Sequence, residues 1–315
     1  SDVYKRQEKV LYSSDRAQIV QNINGYLLNA DNVFIESRNK PICDVPEIGM
    51  GNQPIDDGNY LFTDEMKAEF LKKEPMSEKY FHPWYGAQEF INRSPRWCLW
   101  LGECPPNELQ KMPYCMKRIK AVRDFRLSSK RTSTNKLADT PTRFQTENMP
   151  TGTYVVIPEV SSEKRKYIPM GYMDDTVLCS NKVRIMPNAT LYHFGILESN
   201  VHMAWMRVVC GRLKSDYDYS IKIVYNNFPW PMHNEAQKEK IEQTAQGILD
   251  ARALYPDCSL AALYDEVTMP PELRKAHQAN DRAVMQAYGF WGKLNTETAC
   301  VAELMKMYQK LTERG

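Results

Sequence analysis

The sequence has 315 residues, 43% of them hydrophobic and 25% charged, with a formal net charge of +2. These values are ordinary for a soluble globular protein with room for two domains, and the lack of any apolar run of about 18 residues excludes a helical membrane span. The mixed, polar start of the chain excludes a secretory signal peptide; with no initiator Met it reads as part of a longer, cytoplasmic protein.

In chain order, "AQIVQNINGYLLNADNVFIESR" predicts two short strands joined by a turn at Asn24–Gly25. A loop rich in Gly, Pro, Asn and Asp runs from Pro41 to Tyr60. Thr63 is then the N-cap of a helix reaching about Glu74, with Met66, Phe70 and Leu71 at helical spacing. "HPWYGAQEFINRSPRWCLWL" is aromatic-rich and ends in a short apolar strand. "YCMKRIKAVRDFRLSSKRTSTNKLADTP" predicts a helix opened by Pro113, with Met116, Ile119 and Val122 facing a core. Residues 153–232 look strand-dominated, with short apolar runs such as "TYVVIPEV" and "VRIMPN" punctuated by Pro and Gly. Within them Leu191–Cys210 is helical, carrying His202, Trp205, Met206 and Val209 on one side. From Asn234 onward only helices are expected: Asn234 caps the first, Pro270–Pro271 opens a second that stops near Gly289, and "NTETACVAELMKMYQKLTE" is the last. A domain boundary is expected at Trp230–Asn234.

The charge is unevenly placed. Between Lys111 and Arg143 ten basic residues face only Asp124 and Asp139, a net +8 in a chain whose total is +2, so the remainder carries −6. Concentrated basic charge is the footprint of a polyanionic partner. A solvated helix face presents the same pattern, but an excess of this size in an otherwise acidic chain favours nucleic acid. Eight cysteines without a C-x-x-C pair and five dispersed histidines match no common zinc module, so no metal site is expected.

Two stretches imitate a methyltransferase. "CDVPEIGMGNQP" (43–54) has the glycines of a cofactor loop, and "NNFPWP" (226–231) has the letters of a catalytic Asn-Pro-Pro-aromatic motif. A cofactor-cradling Gly turn must follow a buried strand and open a helix. Here "NKPIC" precedes it and "NQPIDDGN" follows, and Phe228 stands where the first Pro of the tetrad belongs. Neither stretch is expected to bind a cofactor or catalyse. No P-loop, G-x-S-x-G or H-E-x-x-H motif occurs.

Five long stretches carry a resemblance: "NINGYLLNADNVFIESRNKPICDVPEIGMGNQPIDDGNYLF" (22–62), "INRSPRWCLWL" (91–101), "VSSEKRKYIPMGY" (160–172), "PNATLYHFGILESNVHMAWMRVVCGRLKSDYDYSIKIVYNNFPWP" (187–231) and "LYDEVTMPPELRKAHQANDRAVMQAYGF" (263–290). Together, and in this order, they resemble the C-terminal half of the MmeI-like (YeeA-like) bacterial DNA methyltransferases, single-chain type II restriction-modification enzymes. Residues 1–12 match nothing in that pattern, and "SDVYKRQ" has the look of a scar.

The resemblance implies an α+β protein. Residues 1–35 would be the tail of a methyltransferase domain, 36–232 a mixed α/β target recognition domain with short strands and a basic helix, and 233–315 an all-α C-terminal domain. It implies double-stranded DNA and an upstream methyltransferase domain of the same polypeptide as partners, with S-adenosylmethionine bound by that domain and none by this chain, which alone would be inactive. "NNFPWP" would then be a hinge between domains. Phosphate contacts are expected from Lys120, Arg123, Arg126, Lys130, Arg131 and Lys136, and from Arg212 and Lys214. Candidate base readers are Lys182 and Arg184, alternating to one face of "NKVRI", and Ser161, Ser162, Lys164 and Arg165 on a polar turn; an exposed strand or turn without contacts fits each set as well. Arg207 is expected in a structural ion pair. The alternative reading is a stand-alone nucleic-acid- or protein-binding specificity module.

Overall fold

The computed structural model describes residues 8–12, 17–29 and 32–313; the stretch 1–7 and residues 314–315 lie outside them. The elements in order are β1 (Lys9–Tyr12), β2 (Ala17–Val20), β3 (Gly49–Met50), β4 (Leu61–Phe62), α1 (Asp64–Lys73), β5 (Phe81–Tyr85), α2 (Ala87–Asn92), β6 (Arg96–Leu99), α3 (Pro106–Leu109), α4 (Pro113–Leu127) and α5 (Thr132–Lys136). There follow β7 (Tyr154–Pro158), β8 (Val160–Ser161), β9 (Gly171–Met173), β10 (Leu178–Cys179), β11 (Val183–Pro187), α6 (Leu191–Leu197), α7 (Asn200–Val209), β12 (Gly211–Leu213) and β13 (Asp216–Asp218). The last four are helices: α8 (Glu235–Ala253), α9 (Leu260–Leu263), α10 (Pro271–Ala287) and α11 (Glu297–Thr312). This is the α+β architecture, with mixed strands and helices followed by helices alone.

The expected caps are present. Thr63 Oγ1 accepts from the Met66 N–H (3.3 Å), Asn234 and Gln237 exchange bonds as a capping box, and Thr296 starts α11. Two details differ from the sequence reading. The N-terminal hairpin pairs β1 with β2, so Asn24 and Gly25 follow it rather than turn it. The helical stretch at 191–210 is two helices, because Ser199 Oγ bonds Ile196 O and caps α7 by accepting from the His202 N–H.

Two cores organise the chain. A smaller lobe spans residues 60–144 with Leu178, and centres on Tyr60, Phe62, Phe70, Phe81, Trp84, Leu99 and Ile119. Its sheet runs β10–β5–β6–β4, and the parallel β5–β10 pair ties it to the rest. The larger body holds a second sheet, β3–β11–β7–β9, whose β7 and β11 are buried on both faces. Burial on both faces is why these strands read as apolar runs rather than alternation.

The body's core does not part at residue 232. It runs from Leu28 and Val33 through β7 and α7 to Leu304 and Tyr308 of α11. Gly195 of α6 lets α8 approach: a Cβ there would stand 2.7 Å from Ile241 Cγ2 and 3.1 Å from Ala245 Cβ. Asn280 of α10 donates to Gly195 O (2.7 Å). The "NNFPWP" stretch lies inside this core and is no hinge. Phe228 and Trp230 are buried, Phe228 sitting edge-on to His202 (4.9 Å). Asn226 and Asn227 amides donate to Arg38 O and Glu36 O (2.8 Å each), and the Ile42 N–H bonds Asn226 O (2.9 Å). The two asparagines therefore clamp the incoming segment 36–42. The conformation comes from bonds across about 190 residues, which no local motif encodes.

Candidate nucleic-acid interface

α4 carries the basic charge on the lobe's surface. Its buried stripe is Cys115, Ile119, Val122 and Arg126; Met116, expected inside, is 43% exposed, because Cys115 takes the inward place one turn before Ile119. The outward residues are Lys117, Lys120 and Arg123, and Lys130, Arg131 and Lys136 follow on the turn and α5, all exposed. Among the described residues only Lys120 of this set has a carboxylate partner, Asp124 at 2.6 Å. Tyr114, Phe125 and Leu127 sit exposed among these cations. Asn135 holds the turn in place: its amide donates to Arg126 O (2.8 Å), Leu127 O (3.0 Å) and Ser129 O (2.8 Å). Those bonds satisfy the last carbonyls of α4 and present Lys130 and Arg131 at its end.

Arg126 is not a phosphate contact. It is fully buried, and its guanidinium donates to five carbonyls, Pro54, Ile55, Leu137, Thr140 and Arg143, at 2.7–3.0 Å. Every N–H of a forked, five-donor group is spent on fastening loops to the lobe. Sequence alone saw one basic residue among ten; the signal missed was its place on the 115–119–122–126 stripe.

The second basic element is the β12–β13 hairpin, which pairs through β13 with β8. Its two-residue tip is Lys214–Ser215, with Lys214 in the left-handed region (φ +58). A bulky residue there stores strain of about 1–3 kcal/mol, a cost met mainly at functional positions. Arg212 stacks its guanidinium 4.0 Å over the Tyr217 ring and donates to Ser215 O (2.9 Å), so its position is preset. A cavity of about 560 Å³ opens beneath, lined by Glu89, Arg96, Glu159, Lys182, Leu213 and Asp218 among others. In it Arg96 pairs with Glu89 (2.7 Å) and Lys182 reaches Glu159 (3.4 Å) while staying exposed.

The candidate base readers divide. Lys182 precedes β11 and is accessible, whereas Arg184 is buried: it pairs with Glu159 (2.8 Å) and donates to Asn181 O (3.2 Å) and Tyr219 O (3.4 Å). The alternation argument failed because β11 has no solvent face. Ser161 is also buried, 2% exposed, and is removed from the set. Ser162, Lys164 and Arg165 form the loop after β8, with Lys164 exposed and Arg165 half-buried. Arg207 pairs with Glu297 (3.2 Å) and donates to Lys166 O (2.6 Å). In the Gly-rich decoy only Gly49–Met50 is strand: Gly51 follows it, and a Cβ there would stand 2.2 Å from Ser180 O, so the glycine serves close backbone contact. It offers no cradle for a cofactor.

Behind the interface lies a buried polar network joining α6, α8 and α10. Arg252 pairs with Glu198 (2.8 Å) and donates to Met170 O (2.5 Å) and the Tyr264 hydroxyl, which in turn meets His277 Nε2 (2.8 Å). Tyr167 donates to Asp281 (2.6 Å) and stacks on His277. Burial pushes the Glu198 carboxyl up to about 7 and Asp281 up to about 6. Burial opposes charge on both members of the pair, yet Tyr264 and Glu198 hold the Arg252 guanidinium above its ordinary range. The guanidinium therefore keeps its charge, and the carboxyl, with Oε2 lacking a partner, is the member that gives. Burial also pulls His202 down to about 3, His193 to about 4, and His277 well below the usual imidazole range.

Residues 29–232 match the family described as "MmeI, target recognition domain", and residues 233–314 match "MmeI, C-terminal domain". The chain belongs to the MmeI family. DNA methyltransferase A of Bacillus subtilis (strain 168) is 39% identical over 306 residues, 97% of this chain and 35% of that protein. The structure titled as the Type IIL restriction-modification enzyme MmeI in complex with DNA matches with a TM-score of 0.92 at 47% identity, over 97% of this chain and 42% of that one. The chain thus spans well under half the length of either relative. The lobe, hairpin and cavity all fall in the segment matched to the MmeI target recognition domain, and α8–α11 in the segment matched to the MmeI C-terminal domain. Among the described residues no helix is long and apolar enough to cross a membrane.

Proposed function

We propose that this chain is the double-stranded DNA recognition module of an adenine-N6 DNA methyltransferase of a type II restriction-modification system, acting in the bacterial cytoplasm. Residues 36–232 are the recognition domain and 233–315 its helical support. A catalytic domain upstream in the same polypeptide extrudes the target adenine and methylates it with S-adenosylmethionine. This chain's part is to hold the duplex in register. The observation that carries the reading is the pairing of two exposed basic elements on one family-matched segment: the α4–α5 surface and the Arg212–Lys214 hairpin above Lys182.

The exposed cations of α4 and α5 suit phosphates and carry no sequence information. A two-stranded ribbon is the right width for a major groove, and Lys182, Arg212 and Lys214 present donors there in partly preset geometry. The β1–β2 hairpin supports an upstream neighbour: a lone two-stranded hairpin is marginal in water, and Tyr12 and Ile19 are 79% and 65% exposed on it. Residues 1–35 fit the tail of that domain.

The test is a salt titration of this chain's binding to random-sequence duplex DNA, with S-adenosylmethionine calorimetry as the control. Binding should fall steeply with salt, and Arg123→Ala with Lys130→Ala and Arg131→Ala should flatten the log–log slope by about 2–3. Heat from S-adenosylmethionine binding to this chain would overturn the assignment of catalysis to an upstream domain.

A further inference from the structure

Away from the lobe, the C-terminal helices and α7 enclose two cavities, of about 870 and 500 Å³, that meet at Asn200, Met285 and Trp291. They form one trough along the second half of α10. Three cations line it, Lys240 and Arg282 in the larger cavity and Lys166 in the smaller, and none has a carboxylate partner among the described residues. The two acids that line it are already engaged. Asp281 accepts from Tyr167 (2.6 Å) and the Asn200 N–H (2.7 Å), and Glu297 pairs with Arg207. Trp291, about half exposed, holds the Arg282 guanidinium 5.1 Å over its ring. The trough is therefore cationic, elongated, and lined by one preset guanidinium.

A short loop connects it to the hairpin. The Glu163 N–H approaches Asp216 of β13 (3.4 Å), and three residues later Lys166 enters the trough, its carbonyl fixed by Arg207 (2.6 Å). The loop 162–166 thus links the ribbon to the C-terminal helices over five residues.

We propose that this trough is a second nucleic-acid contact, in which Lys166, Lys240 and Arg282 take the sugar–phosphate backbone of the duplex flanking the sequence under the hairpin. The proposal rests on the DNA-recognition reading above and gives the helical region a direct part in binding. Free cations at one side of a groove-seated ribbon meet phosphates, and their spacing along a trough follows a strand better than a point ligand.

The experiment measures salt-dependent binding of a duplex about four helical turns long by anisotropy, for wild type and two double variants. Lys240→Ala with Arg282→Ala removes two charges from the trough; Lys306→Ala with Lys310→Ala removes two from exposed positions on α11. The trough variant should lower the log–log slope by about 1.8, at about 0.9 per phosphate, with its melting temperature unchanged, while the α11 variant keeps the wild-type slope. Arg282→Lys, which keeps the charge and loses the planar stack, should keep the slope and weaken binding a few-fold. Wild-type slope in the trough variant, or equal loss in both variants, overturns the trough as a DNA contact and leaves the recognition reading intact. Absence of any salt-dependent binding by wild type overturns that reading, and this one with it.

Discussion

The lobe buries one arginine and the body two, and Arg126 of the lobe and Arg252 of the body are satisfied differently. In the lobe, Arg126 donates to five neutral carbonyls, with buried Asp56 acting on it through space. In the body, Arg252 meets the Tyr264 hydroxyl and the Glu198 carboxyl, which burial pushes toward its neutral form. The lobe uses its guanidinium to fasten irregular loops to a small core; the body uses its own to lock helices matched to the C-terminal domain onto α6. A buried ion is expensive in either case: the lobe offsets it chiefly with carbonyl dipoles, the body with a carboxyl that gives up charge.

The largest effect should come from removing either fork. Arg126→Met and Arg252→Met should each lower stability by about 3 kcal/mol or more in urea unfolding, the first by orphaning carbonyls and the second by stranding Glu198. Hydrogen exchange should place the Arg126 loss in residues 54–143 and the Arg252 loss across α6, α8 and α10; a loss spread evenly in both would break the comparison.

Next in size is the pH profile, which belongs to the body. Glu198 and Asp281 have raised native values, so their contribution is full below about pH 4 and is lost as pH rises through about 6–7. His193, His202 and His277 have lowered native values, so theirs is full above about 6.5; for His193 and His202 it is lost as pH falls toward 3–4. Between about pH 4.5 and 6 the two sets oppose each other. Three imidazoles against two carboxyls leave a small net slope, so the urea midpoint should rise gently with pH there and drop below about pH 4, where the carboxyls are protonated in both states. A steep rise or fall across pH 4.5–6 would show that one set is absent.

Lys214→Gly separates stability from binding at the hairpin. Relief of the left-handed φ should raise stability by about 1 kcal/mol, while loss of one cation lowers the DNA salt slope by about 0.9. A variant that shows neither change removes the functional reading of that strain. The smallest effect is expected from Asp124→Asn on the lobe: under about 0.5 kcal/mol in stability, with a steeper salt slope because Lys120 is released.

Much of the local structure was legible. Thr63, Asn234 and Pro271 mark helix starts because caps and N1 prolines satisfy or avoid orphan donors within four residues of sequence. The basic segment was legible as composition. What failed were statements about which face a residue shows. Arg126 stands only about 60° from Arg123 around the helix, and Arg184 differs from Lys182 by lying within β11, which is buried on both faces, rather than just before it. Both outcomes are set by neighbours far along the chain, Ile55 for one and Tyr219 for the other.

The sequence by itself determined the family, the α+β order of elements, the helix caps and the place of the charge, because these rest on local periodicity, capping chemistry and long matched stretches. Tertiary structure alone decided that "NNFPWP" is a clamp and that Gly51 serves a close backbone contact. It also decided that Arg126 and Arg184 are interior, and that one core crosses residue 232. Those depend on hydrogen bonds and packing between segments roughly 25 to 190 residues apart; a residue's accessibility is a property of its partners, and its own letter does not carry them.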